Sequence, residues 1–219
     1  MPFFDHLAAP FKQRGIVRGS TPAVAYGICV GLSVDWIIRH KTHKSEGTAK
    51  RIRYMGTQSP AQSVTAQLGY NVKLADTREG FGTGQTESIN AAFETRRSAL
   101  TVSDTEYIRH VSAAPDDAFA SLFVNTSGVH CYYVILLQFD NGGDAHATAA
   151  YHSSGKVFGW GSHLYYFEPN FGEFKLPASA AGIKTFFEEL AAQYLLYKDM
   201  AGTVVPKKLT AIIVNKVRV

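Results

Sequence analysis

Apolar and polar positions follow two different rhythms along this chain, and the change comes beyond its middle. From Cys29 to His40 the apolar residues Val30, Leu32, Val34, Trp36, Ile37 and Ile38 fall on nearly every side of a helical wheel, which marks a helix buried all round. Ser59-Pro60 supplies an N-cap and a proline at the first helical position, so a helix is predicted from there to about Leu68, and another over Thr86–Arg97. Between them, Gly80-Phe81-Gly82-Thr83-Gly84 reads as a flexible loop; its third glycine is misplaced for a dinucleotide fingerprint and no strand-helix-strand context surrounds it. Pro115-Asp116-Asp117 starts a short predicted helix with two carboxylates in its first turn.

From His130 the pattern is that of strands. His130–Phe139 is a continuous apolar, aromatic and β-branched run, predicted to be a central strand, and Asp140-Asn141-Gly142-Gly143-Asp144 is a turn cluster. Further strands are predicted at His146–His152, His163–Glu168 and Leu209–Val217, with a helix capped by Ser179 carrying Ile183, Phe186, Phe187, Leu190, Tyr194 and Leu195 at helical spacing. Helices in the first half and strands in the second predict an α+β fold. There is no internal repeat, low-complexity tract or linker, so residues 1–219 are expected to form a single domain.

Composition narrows the classes. The 219 residues are 46% apolar and 18% charged, which excludes a disordered tail, a collagen and a coiled coil. A chain of this length buries roughly 70% of its unfolded surface and needs no disulfide or metal staple. Two cysteines, Cys29 and Cys131, exclude a disulfide scaffold and a four-cysteine zinc module. The formal net charge is +4, but the densest basic stretches, His40–Lys44, Lys50–Arg53 and the C-terminal lysines, fall short of a nucleic-acid or lipid footprint. No nucleic-acid partner is expected. Met1–Leu7 lacks a basic segment followed by an apolar core, so no Sec signal peptide is expected. The apolar run at Val134–Leu137 is far too short for stable membrane insertion. In that setting the sequon Asn125-Thr126-Ser127 carries no weight.

Cys29 is the residue with chemical promise. It follows Gly27 at the predicted start of a buried helix, where unpaired N–H groups and the helix dipole favour a thiolate. Gly27 and Gly31 are expected to keep that helix start open to a substrate chain, whereas Cys131, in mid-strand, reads as a buried hydrophobe. A thiolate nucleophile needs a base, and the base an orienting group. His146 begins a strand after a glycine-rich turn, flanked by Ala145, Ala147 and Ala149, small neighbours expected to leave the imidazole reachable. A hairpin turning near Val157 would set His152 opposite Ser162, Ala150 opposite Leu164, Thr148 opposite Tyr166 and His146 opposite Glu168, within reach of a carboxylate. His130, His152 and His163 are alternative bases, and Asp144 and Asp140 alternative orienting groups. Cysteine at a helix start with histidine and a carboxylate on facing strands is a papain-like arrangement.

Three segments carry a more specific likeness: Gly27-Ile28-Cys29-Val30-Gly31-Leu32-Ser33 with Trp36-Ile37; His146-Ala147; and Phe167-Glu168-Pro169-Asn170-Phe171-Gly172-Glu173-Phe174. Together they resemble the YopT/AvrPphB-type cysteine proteases, papain-fold effectors that bacteria deliver into host cells. The resemblance implies a nucleophile-bearing helix packed on a C-terminal antiparallel sheet, with Cys29 as nucleophile, His146 as general base and Glu168 as orienting acid. It implies no metal or organic cofactor. It also implies a protein substrate in a target cell and secretion without a Sec signal into that cell's cytosol. The sequence departs from the family pattern in two respects: the acid is Glu168 where the family usually has Asp, and Val24 and Ala23 stand where related enzymes place an amide side chain for the oxyanion hole. Ser20, Thr21 and Gln13 are the remaining candidates for that donor. Other papain-fold acyl chemistry (deamidation, transglutamination, peptidoglycan amide cleavage) and a non-enzymatic binding module are the alternatives. Residues 41–130 match nothing in the family pattern.

Overall fold

A computed structural model describes residues 3–17, 24, 27–76, 85–109, 130–140, 145–153, 161–198 and 202–219, with backbone alone at 107–109. The Gly80–Gly84 loop, the helix start at Pro115, the Asn125 sequon, Asp144, Ser20, Thr21, Ala23 and the hairpin tip at Val157 lie outside the described residues. The chain opens with a 3-10 turn, Phe3–His6, an edge strand β1 (Leu7–Pro10) and a single turn α1 (Arg14–Val17). Four helices follow: α2 (Cys29–Thr42), α3 (Thr48–Thr57), α4 (Pro60–Asp76) and α5 (Gln85–Thr95). Then come β2 (Thr101–Arg109), β3 (Cys131–Phe139), β4 (Ala145–His152), β5 (His163–Glu168), β6 (Gly172–Pro177), α6 (Ala180–Leu195) and β7 (Leu209–Arg218).

The seven strands form one antiparallel sheet in the order β1-β6-β5-β4-β3-β7-β2. The fold is α+β, as the segregation of helix and strand patterns predicts. Both faces of the sheet are covered, so β3 is buried on either side and its sequence shows no polar alternation. Tyr132, Val134 and Leu136 join the core beneath α2, α4 and α5, while Cys131, Tyr133, Ile135, Leu137 and Phe139 join a second core beneath α6. The two cysteines therefore belong to opposite faces of the sheet. On β4, Ala147 and Ala149 face α2 rather than framing an open imidazole; their small side chains let the helix lie close, with Trp36 stacked on Phe167 at 5.9 Å between ring centroids.

The structure adds elements that the pattern did not predict. β1 and β2 are the sheet's two edges; one is four residues ending in proline, the other is rich in polar residues, and neither carries the apolar alternation of a half-buried strand. β6 holds a buried glutamate, and α3 buries Arg51 beside Ile52 and Met55. α4 runs eight residues past the predicted end at Leu68, because Gly69 does not stop it. A Cβ there would run into Thr95 and Ala91 of α5, so this glycine serves close helix packing.

One buried ion pair fastens the helical layer to β6, the strand next to the β1 edge. Glu173 of β6 is wholly buried and accepts from Arg51 Nη2 at 2.5 Å and Nε at 2.8 Å, from Trp36 Nε1 at 2.8 Å and from Thr48 Oγ1 at 2.9 Å. A charge this deep is tolerable only when its lone pairs are filled. Arg51→Met should therefore lower the unfolding free energy by about 3–5 kcal/mol. Arg51→Met/Glu173→Leu should recover most of that loss in urea titrations.

Candidate active site

α2 begins without a side-chain cap on Ile28, so its first amides find partners elsewhere. The Val30 and Gly31 N–H groups donate to Gln67 Oε1 of α4 at 3.1 and 3.2 Å, and the Ile28 N–H donates to Gln13 Oε1 at 3.4 Å. Gln67 comes this close because Gly31 lacks a side chain; a Cβ there would run into the Ser63 backbone carbonyl of α4. Gly31 thus serves helix crossing, correcting the expectation that it opens the site to substrate. Gly27 does mark a turn that favours glycine, with φ of +133°.

β4 and β5 deliver the other two predicted residues in a register that differs from the expected one. Ala150 pairs with Tyr166 and His152 with Leu164, two residues along from the predicted alignment. A two-residue slip keeps every side chain on its original face. Continuing the count from the Ala149–Phe167 pair sets Thr148, not His146, across from Glu168. Glu168 then meets His146 on the diagonal, a span that a long side chain covers. Its Oε1 accepts from His146 Nε2 and from the Tyr194 hydroxyl of α6 at 2.9 Å, and its Oε2 accepts from the Asn170 N–H at 2.8 Å.

The His146 ring and the Cys29 side chain line the same cavity, close enough for each to shift the other's titration. Burial alone would push the Cys29 thiol up, but the bond and charge of His146, with the N–H groups of Ala147 and Val30, pull it below its ordinary value. Burial alone would push His146 down, yet the Glu168 charge and its bonds to Cys29 and Glu168 raise it above its ordinary value. Opposite shifts in neighbouring groups favour a thiolate and an imidazolium. A cavity of about 170 Å³ opens over the thiol, lined by Gln13, Cys29, His146, Asn170 and Tyr194 among others.

The other candidates lie elsewhere. Six residues of extended chain, about 20 Å, separate His152 from His146. His130 sits beside the Tyr151 hydroxyl, His163 opens β5 opposite Pro177, and Asp140 accepts from the Lys208 N–H at 3.2 Å. Val24 is buried and apolar. Three residues at the site escaped the sequence reading. Tyr194 is spaced as core, Gln67 gives no local signal, and Asn170 stands in the quoted Phe167–Phe174 string but without a role. Among the described residues, no group of three or more His, Cys, Asp or Glu side chains could hold a metal ion, and no helix is long and apolar enough to cross a membrane.

Residues 5–199 match the model of peptidase family C58, described as the Yersinia/Haemophilus virulence surface antigen family. The chain belongs to this family. A protein of Sinorhizobium fredii that carries the name "Putative cysteine protease YopT-like y4zC" is 27% identical over 173 residues, 78% of this chain and 60% of that protein. The chain thus spans somewhat less than two thirds of that relative's length. The crystal structure of the Pseudomonas avirulence protein AvrPphB superposes with a TM-score of 0.64 at 18% identity, covering 99% of this chain and 100% of AvrPphB. The two share a fold.

The paired shifts set the direction of a pH profile. With the Cys29 value lowered and the His146 value raised, iodoacetamide should alkylate Cys29 with a midpoint at lower pH than a free cysteine thiol shows, the rate falling on acidification. In His146→Ala the partly buried thiol loses its partner, and desolvation then dominates. Its alkylation at pH 7 should drop at least tenfold and recover only in alkali, as read by mass spectrometry of the labelled peptide.

Proposed function

We propose that this chain is a cysteine protease whose catalytic residues are Cys29, His146 and Glu168. The Cys29 thiolate attacks a substrate carbonyl carbon and the carbonyl π pair moves to oxygen. When that tetrahedral adduct collapses, the C–N bond breaks and the leaving amine takes its proton from the His146 imidazolium. Neutral His146 then draws a proton from water, which hydrolyses the thioacyl intermediate and restores the thiolate. Glu168 holds the ring by Nε2, so that the opposite ring nitrogen serves the sulfur, and it offsets the imidazolium charge. The observation that carries this reading is a wholly buried carboxylate hydrogen-bonded to His146, whose ring lines the same cavity as the Cys29 thiol.

The substrate class is a protein of a target cell, and residues 1–219 act as one catalytic domain. Support comes from the virulence and avirulence names carried by the family and by AvrPphB.

Incubated with proteins of a eukaryotic host cell, the chain should generate new N-termini that are absent with Cys29→Ala. Persistent cleavage by that variant would overturn the assignment, and a one-unit mass shift without new termini would indicate deamidation instead. Glu168→Asp should lower kcat/KM by roughly 10–100-fold, because the shorter carboxylate cannot span the diagonal and small misplacements of a catalytic base are costly.

A further inference from the structure

Acyl transfer at Cys29 puts a negative charge on the former carbonyl oxygen, and that charge needs donors fixed in advance. The helix start supplies few. The Ile28, Val30 and Gly31 amides are committed to glutamine oxygens, so of the amides from Ile28 to Gly31 the Cys29 N–H alone remains for an incoming oxygen.

We propose that Gln13 completes the oxyanion hole, its side-chain Nε2–H and the Cys29 backbone N–H donating together to the developing oxyanion. This rests on the protease reading above. Gln13 lies outside α2, sixteen residues before the nucleophile, yet its side chain lines the cavity over the thiol. Its orientation is dictated at both ends. Oε1 must face the Ile28 N–H, since the reverse orientation would set donor against donor, and this turns Nε2 toward Asn170, whose Oδ1 accepts one hydrogen at 2.8 Å. An amide nitrogen carries two hydrogens, and the second has no partner among the described residues. The backbone is anchored as well, with the Gln13 N–H donating to the Pro169 carbonyl at 2.7 Å and the Phe11 N–H to the Phe171 carbonyl at 3.0 Å. A donor held by these four hydrogen bonds of its own side chain and of the local backbone costs little reorganisation as the charge forms.

Two reagents separate an oxyanion donor from a structural strut. 4-Nitrophenyl acetate acylates the thiolate through a tetrahedral oxyanion and expels 4-nitrophenolate; iodoacetamide alkylates it by direct displacement of iodide, with no oxyanion. Gln13→Met removes the donor at similar size. Gln13→Glu keeps an acceptor for the Ile28 N–H, replaces the donor by a carboxylate and serves if the first variant folds poorly. In each, the ratio of acylation to alkylation rates at Cys29, assigned by peptide mapping, should fall at least tenfold against the unaltered chain. An unchanged ratio, whether both rates hold or both fall in parallel, would overturn the proposal. Both reactions need only the thiolate, so the ratio is readable even if the unaltered chain cuts no protein, an outcome that would instead count against the protease reading.

Discussion

The buried carboxylate of Glu168 is the constraint on which the site depends. It has no solvent exposure, and a lone charge at that depth would be neutralised or would unfold its surroundings. Its partners come from different directions: the His146 ring from β4, the Tyr194 hydroxyl from α6, and the Asn170 N–H from the turn after β5. Each is in place only if sheet, helix and turn are assembled together. The imidazolium and the hydrogen bonds that make the carboxylate tolerable are the same contacts that aim the ring at Cys29, so stability and chemistry share one set of atoms.

The turn between β5 and β6 extends this economy. Over six residues, Glu168 binds the histidine, Asn170 holds Gln13, Gly172 admits the first strand, and Glu173 grips α2 and α3 through Trp36, Arg51 and Thr48. At Gly172 the backbone has φ of +135°, and a Cβ would collide with the Ala9 carbonyl and the Pro10 backbone. Only glycine satisfies both demands. Glu168 and Glu173 are both buried and both paired, but their partners differ. Arginine keeps its charge at any working pH, which makes Glu173 a permanent fastening. Histidine can give up its proton, which leaves the Glu168 pair able to take part in a reaction.

Much of this was legible in the chain. The segregation of helix and strand patterns gave the fold class, Cys29 stands at a helix start as its glycine-flanked setting predicts, and His146 and Glu168 lie within reach of each other. Local pattern could not set the strand register, because a two-residue slip preserves every burial class. Nor could it reveal partners that meet only through tertiary packing. Gln67 reaches the helix start because two helices cross at Gly31, and Tyr194 has the spacing of any core residue. The glycines show the same limit from the other side: Gly27 marks a backbone need, whereas Gly31 and Gly69 mark helix crossings, and a sequence writes both with one letter.

The register also gives a physical sense to glutamate at the acid position. With Thr148 across from it, the residue at 168 must bridge a diagonal, and the added methylene provides the length. In the proposed mechanism the reacting site carries a thiolate and a carboxylate against one imidazolium. The excess negative charge rests against fixed dipoles: the Ala147 and Val30 N–H groups at the sulfur, and the Asn170 N–H and Tyr194 hydroxyl at the carboxylate. Attack on a carbonyl carries that charge a few ångströms from sulfur to oxygen without creating or destroying any. An environment already built to hold one buried anion needs donors at the new position and little other change, which is the sense in which preorganised dipoles lower the barrier.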